Sequence, residues 1–172
     1  MRAWRIYPRR AAWAQAPDFD PLDGAGGLTS AGRWHHLGTQ ITYTSESPSL
    51  ALLETLVHIV PHRFGEPTML ELDVPNDTVE EVSHAVLVQL LRNAHTDDPE
   101  ALTRRFGSAW AKEQRSPLLR VPSIVMPHEH NLLLNPLHPR APEVRILARE
   151  IVTLDPRLAS LLVERAGARP AS

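Results

Sequence analysis

Two periodicities divide the chain. Ile41 and Tyr43 alternate with Thr42 and Thr44, and Leu70, Leu72 and Val74 alternate with Met69, Glu71 and Asp73, so residues 40–44 and 68–74 read as half-buried strands. Trp4, Ile6 and Tyr7 ahead of Pro8 read as a shorter first strand. A different spacing follows Ser47-Pro48, which offers an N-cap and a proline at the first helical position. Leu50, Leu53, Val57 and Val60 recur there at helical intervals, which predicts a helix over about 48 to 60 with those four side chains as its buried stripe. Val79, Val82, Val86 and Leu90 also fit a helix, but the β-branched start permits a strand, and residues 79–94 stay open between the two. Asp98-Pro99 opens a further helix through Phe106 and Trp110, weakened at Gly107 and closed at Pro117. Beyond it Leu118–Met126, Leu132–Leu134 and Val144–Leu154 are short apolar runs separated by Pro, Asn and His, which predicts three more strands. The pattern predicts an α+β domain of five or six short strands with two or three helices.

Composition narrows what such a domain can do. At 172 residues, with sixteen prolines spread along the chain and no internal repeat, a single domain is expected. The net charge of −2 gives no broad positive field to hold a polyanion, which argues against direct nucleic-acid binding. There is no cysteine, so disulfides, thiolate metal sites and cysteine nucleophiles are excluded together. The first residues carry Arg2, Arg5, Arg9 and Arg10 without an apolar core of the kind a secretory signal needs. Apolar stretches such as Leu50–Leu53 fall far short of the ~20 residues that cross a bilayer, so the expected location is the cytoplasm, with no membrane partner.

Several candidate chemistries fail on spacing. Gly24-Ala25-Gly26-Gly27 is followed by Thr29 where a dinucleotide fingerprint needs its third glycine, and no Gly-Lys-Ser/Thr completes a phosphate loop. His58 and His62, and His128-Glu129-His130, lack the spacing of a zinc motif. Ser123, in Val121-Pro122-Ser123-Ile124, has no Gly-x-Ser-x-Gly elbow to make it a nucleophile, though a hydrogen-bonding role at a strand remains. Glu54 is more informative. It lies at the margin of the predicted stripe beside Leu50, where a carboxylate would be half dry.

These segments share a context. Gly32-Arg33-Trp34-His35-His36-Leu37-Gly38-Thr39, then Ile41-Thr42-Tyr43-Thr44-Ser45, then Ser49-Leu50-Ala51-Leu52-Leu53-Glu54, together resemble the opening of the RES domain. Leu119-Arg120-Val121-Pro122-Ser123 and Asn131-Leu132-Leu133-Leu134-Asn135-Pro136-Leu137-His138-Pro139 resemble its closing half. That family is named for an Arg, a Glu and a Ser, which map onto Arg33, Glu54 and Ser123 in chain order. The resemblance covers about 4–154 and leaves a tail over 155–172, with 76–98 matching least. Ala31 and His35 depart from the family's usual glycine and asparagine.

The resemblance implies a fold like that of ADP-ribosyltransferase toxins and a toxin that depletes NAD+, by phosphorolysis or hydrolysis. It also implies an antitoxin of the Xre helix-turn-helix type as partner and leaves self-association open. Breaking the nicotinamide–ribose bond expels a neutral group from a cationic glycosyl centre, so the transition state resembles an oxocarbenium ion. Glu54 would offset that charge and accept a ribose hydroxyl, Arg33 would bind the pyrophosphate or an incoming inorganic phosphate, and Tyr43 would pack against nicotinamide. Ser123 and Asn135 would anchor ribose or amide groups, with Gly32 and His36 as neighbours in the same NAD+ pocket. NAD+ is then a substrate; the reaction needs neither a bound cofactor nor a metal. Two other outcomes fit the same residues: ADP-ribosyl transfer to a protein, and a non-catalytic module that binds NAD+ or ADP-ribose.

Overall fold

The computed structural model describes residues 1–9, 12–58, 67–92 and 99–158. Seven strands form one sheet in the order β4-β5-β6-β2-β1-β3-β7. They are β1 (Arg2–Pro8), β2 (Thr42–Ser45), β3 (Pro67–Asp73), β4 (Val79–Glu81), β5 (Leu118–Pro122), β6 (His130–Leu134) and β7 (Arg145–Ile151). Every neighbouring pair is antiparallel except β4 with β5, whose crossover carries the helices α3 (His84–Arg92) and α4 (Pro99–Lys112). The one-turn helix α1 (Gly26–Thr29) and the longer α2 (Pro48–His58) flank β2. The class is the expected α+β. Among the described residues no helix is long and apolar enough to cross a membrane.

The open stretch after residue 78 holds both alternatives in succession. Val79–Glu81 pairs with β5, and Ser83 then starts a helix by accepting the Val86 N–H at 3.3 Å. Leu90 was part of the helical pattern, but its side chain lies outside the described residues, as do all of 93–98.

Three consecutive leucines show how the sheet is covered. Leu132 and Leu134 on β6 join Ala3, Tyr7, Leu70, Leu72 and Leu118 in a core on one face. Leu133 points the other way, into a second core with Trp34, Leu87, Trp110, Leu119 and Val121 beneath α3 and α4. A strand buried on both faces reads as a continuous apolar run because its period of two is hidden. Gly107 does not weaken α4. A Cβ there would lie 2.0 Å from the Trp34 carbonyl oxygen, so glycine lets the helix press onto the residue-34 backbone.

α2 differs from expectation in which side it buries. Ser47 caps it, its Oγ accepting the Leu50 N–H at 3.0 Å. The buried side chains are Leu50 and Ala51, whereas Leu53 and Val57 are 37% and 48% exposed; Val60 and His62 lie outside the described residues. The helix packs on β1 and β2. Residues 50, 51, 54 and 55 share one face at the helical repeat, so burial of Leu50 and Ala51 turns Glu54 inward to a half-buried position.

The glycine-rich loop before β2 is likewise packed. Gly24, at φ +66°, would place a Cβ 2.8 Å from the Ile41 backbone nitrogen, and one on Gly27 would lie 2.0 Å from the Thr39 carbonyl oxygen. Those glycines serve close chain approach, and the Asp23 carboxylate accepts the Ala25 N–H at 2.8 Å within the turn.

Candidate active site

Glu54 is the hub of one cluster. Its Oε1 accepts hydrogen bonds from Ser123 Oγ at 2.9 Å and from the Asn131 side-chain amide. Ser45 Oγ donates in turn to Asn131 Oδ1 at 2.7 Å. These groups come from α2, the loop after β5, β6 and β2, with Ser45 and Asn131 directly opposed across the β2–β6 ladder. Ser123 is 7% exposed, and its Oγ also accepts the Val125 and Met126 N–H groups at 3.1 and 3.0 Å. One proton given and two lone pairs filled exhaust a hydroxyl. Ser123 therefore holds the carboxylate and the turn after β5, and has no free hydrogen-bonding capacity for the ribose contact expected of it.

A second cluster is positive. Arg33 Nη2 lies 2.9 Å from Glu100 Oε1, and Arg104 Nη2 pairs with the other oxygen of the same carboxylate. Arg104 Nε also donates to the Gly32 carbonyl at 3.2 Å, while Thr103 Oγ1 donates to the Arg33 carbonyl at 2.6 Å. α4 thus fastens the loop that carries Arg33. The acid that pairs with Arg33 is Glu100 on α4.

Tyr43 lies within electrostatic reach of both clusters. Its hydroxyl accepts the Trp34 N–H at 3.1 Å and lies 2.9 Å from His35 Nδ1, while His35 Nε2 lies 3.1 Å from the Ser30 carbonyl. A carbonyl only accepts, so Nε2 carries the ring proton, Nδ1 is the acceptor, and the Tyr43 hydroxyl donates to it. Burial is the main cause that pushes the Tyr43 phenol up to about 12, with the Trp34 N–H, Arg33 and Arg104 opposing and Glu54 reinforcing the rise. The hydroxyl therefore feels both cations and the carboxylate together. Burial likewise lowers the His35 pKa, against the bond to Ser30 and together with His36. Gly32 makes the contact possible, since a Cβ there would lie 2.6 Å from His35 Cε1 and 2.7 Å from the Tyr43 oxygen.

Two expected pocket residues sit elsewhere. Asn135 is 1% exposed; its amide donates to the Ala111 carbonyl at 2.9 Å, and its Oδ1 accepts the Leu137 N–H at 3.1 Å. It secures the exit of β6 and cannot also anchor ribose. His36 is exposed and bound through its backbone, its N–H donating to Ser108 Oγ at 2.9 Å and its carbonyl accepting the Thr39 N–H at 3.1 Å. Asn131, four residues before Asn135, is the asparagine that reaches the site. Its parity with Leu133, opposite to Leu132 and Leu134, is the signal that could have found it. Arg104 had no such signal, because α4 approaches Arg33 only through the tertiary fold.

Among the described residues the histidines do not gather into a metal site. Glu129 accepts Ser47 Oγ at 2.6 Å, and His130 lies against Arg120 and Glu46. No three metal-binding side chains converge among the described residues.

The α+β fold carries Arg33 on a loop, Tyr43 on β2 and Glu54 within α2. It is similar to a chain of the crystal structure of the Mycobacterium tuberculosis MbcT–MbcA toxin–antitoxin complex, at a TM-score of 0.64 and 16% identity, covering 97% of this chain and 89% of that one. The RES domain family model matches residues 2–155, and the chain belongs to that family of toxins. A protein from Pseudomonas putida named Toxin Res is 37% identical over 161 residues, covering 92% of this chain and 99% of its own length. Another, from a Sphingobium species and named Prs ADP-ribosylating toxin, is 35% identical over 158 residues, covering 90% and 94%.

Proposed function

We propose that this toxin cleaves NAD+ at the bond between nicotinamide and ribose and passes the ADP-ribosyl group to inorganic phosphate or water. The observation that carries this reading is that the Glu54 carboxylate and the paired Arg33 and Arg104 guanidiniums both lie close enough to the Tyr43 hydroxyl to act on it with opposite sign. A dinucleotide whose phosphates are anionic and whose glycosyl carbon becomes cationic fits such a divided field.

As the bond breaks, its electron pair goes to the nicotinamide nitrogen, which leaves neutral, and positive charge develops on C1′ and the ring oxygen. The Glu54 carboxylate offsets that charge and accepts a ribose O–H. An oxygen of phosphate or water then bonds to C1′; with water, a proton is released. Arg33 and Arg104 hold phosphate oxygens by charge-assisted hydrogen bonds, in place of part of their present pairing with Glu100. The Tyr43 ring supplies an apolar wall for nicotinamide, and its hydroxyl is engaged with Trp34 and His35.

Incubation of the purified chain with NAD+, with and without phosphate, tests the reading by its products: free nicotinamide with ADP-ribose, or with its 1″-phosphate. Glu54→Ala is expected to lower turnover on the order of 10²-fold or more, the loss typical of a central electrostatic stabiliser. Wild-type turnover in that folded variant removes Glu54 from the mechanism. The name of the Sphingobium relative favours a second acceptor, a protein side chain, which mass spectrometry of modified targets distinguishes from free ADP-ribose. We also assign the chain an antitoxin partner of the Xre helix-turn-helix type, to be sought by co-purification.

A further inference from the structure

Among the described residues, both hydrogen bonds to the Glu54 carboxylate reach the same oxygen. Ser123 and Asn131 both donate to Oε1, and among the described residues no hydrogen bond reaches Oε2. Two donors on one oxygen restrict rotation of the carboxylate and leave the other oxygen able to accept a bond from a ligand. Asn131 is itself oriented. Its Oδ1 takes the Ser45 hydroxyl proton at 2.7 Å, and the reversed amide would place Oδ1 against the carboxylate, oxygen facing anionic oxygen. Donation therefore runs from Ser45 to Asn131 to Glu54. The pair is well placed to be rigid, because Ser45 and Asn131 are cross-strand partners in the middle of the seven-stranded sheet.

We propose that Ser45 and Asn131 are positioning residues that fix the Glu54 carboxylate so that Oε2 faces the ribose, with Asn131 acting on the reaction only through Glu54. The proposal rests on the reading that Glu54 meets the substrate. It adds two residues to the machinery, neither of which needs to touch NAD+ itself. Ser123 supports the same oxygen from the opposite element, so loss of Asn131 leaves the carboxylate held at one point instead of two.

A double-mutant cycle on the full chain tests it. Asn131→Ala is expected to lower kcat about tenfold or more with KM within about twofold, and Ser45→Ala to lower it less. Asn131→Asp replaces the donor by a carboxylate facing the Glu54 anion, so it is expected to show at least as large a loss together with a lower thermal unfolding temperature. In a Glu54→Ala background none of these changes is expected to lower the residual turnover further. A loss that persists in that background, or one carried by KM, overturns the proposal. The second arm is independent of activity: the side-chain amide signal of Asn131 in ¹⁵N NMR spectra is expected to move in both Glu54→Ala and Ser45→Ala. An unmoved signal also overturns it. A wild-type chain that leaves NAD+ intact removes the cleavage reading, while the amide signal still decides whether Asn131 holds the carboxylate.

Discussion

The Tyr43–His35 contact carries a pH dependence whose sign follows from its geometry. Nδ1 must be unprotonated to accept the tyrosine proton, and burial lowers the ring's pKa below its ordinary 6.5. In the unfolded chain His35 takes up a proton at a higher pH than in the fold, so between those two values the unfolded state binds more protons. The contribution to stability is then complete above about 6.5, the ordinary histidine value, and falls as pH drops through the folded value. His35→Asn keeps a polar side chain but removes this titration. Urea midpoints of the two proteins from pH 8 to pH 5 are expected to show the wild type losing stability relative to His35→Asn on acidification. Parallel curves would mean that the ring does not titrate differently in the fold. Arg33, Tyr43 and Glu54 were legible in the sequence because they lie in contiguous motifs within about twenty positions. The donors that orient Glu54 were not, since Asn131 lies 77 residues away in sequence and meets it only across the sheet.

The helices show how local signals are overridden by what they pack against. Helix propensity alone gives Gly107→Ala in the middle of α4 a gain of about 1 kcal/mol. The Trp34 carbonyl at 2.0 Å from the added carbon reverses the sign, because a backbone atom must move and it belongs to the residue next to Arg33. A destabilisation of about 1–3 kcal/mol is expected from such overpacking, measured by denaturant unfolding, together with a higher KM for NAD+. A stabilised Gly107→Ala protein would mean that the helix and the Arg33 loop do not press together as described. In α2 the start was legible from Ser47-Pro48, but the buried side was not. Leu53 and Val57 have the right spacing for a core stripe, yet the contact with β1 and β2 is made by the neighbouring face, and it is this rotation that brings Glu54 under cover.

The α+β class follows from the alternation of periods, but the seventh strand and the order of the sheet do not. β4 is only three residues long and pairs in parallel with a strand beyond two helices, so the β-branched start at Val79 leaves a strand open against a helix and nothing local gives its partner. The same topology brings α4 and its Arg104 beside Arg33, which concentrates charge that the net value of −2 conceals. Among the described residues, the linked Arg33, Arg104 and Glu100 together carry one excess positive charge. Arg104→Ala cancels the excess and is expected to weaken binding of ADP-ribose about tenfold, the scale of one lost hydrogen-bonded charge contact, as read by calorimetry. Glu100→Gln added to Arg104→Ala restores the excess without restoring the second guanidinium. Part of the affinity should therefore return, with a shallower dependence on salt than the wild type because fewer charges take part. If the double variant binds no better than Arg104→Ala, local charge balance is not what holds the phosphates, and the fork geometry of Arg104 itself accounts for the loss. If Arg104→Ala binds as the wild type does, the phosphates lie elsewhere and the divided field around Tyr43 has another use.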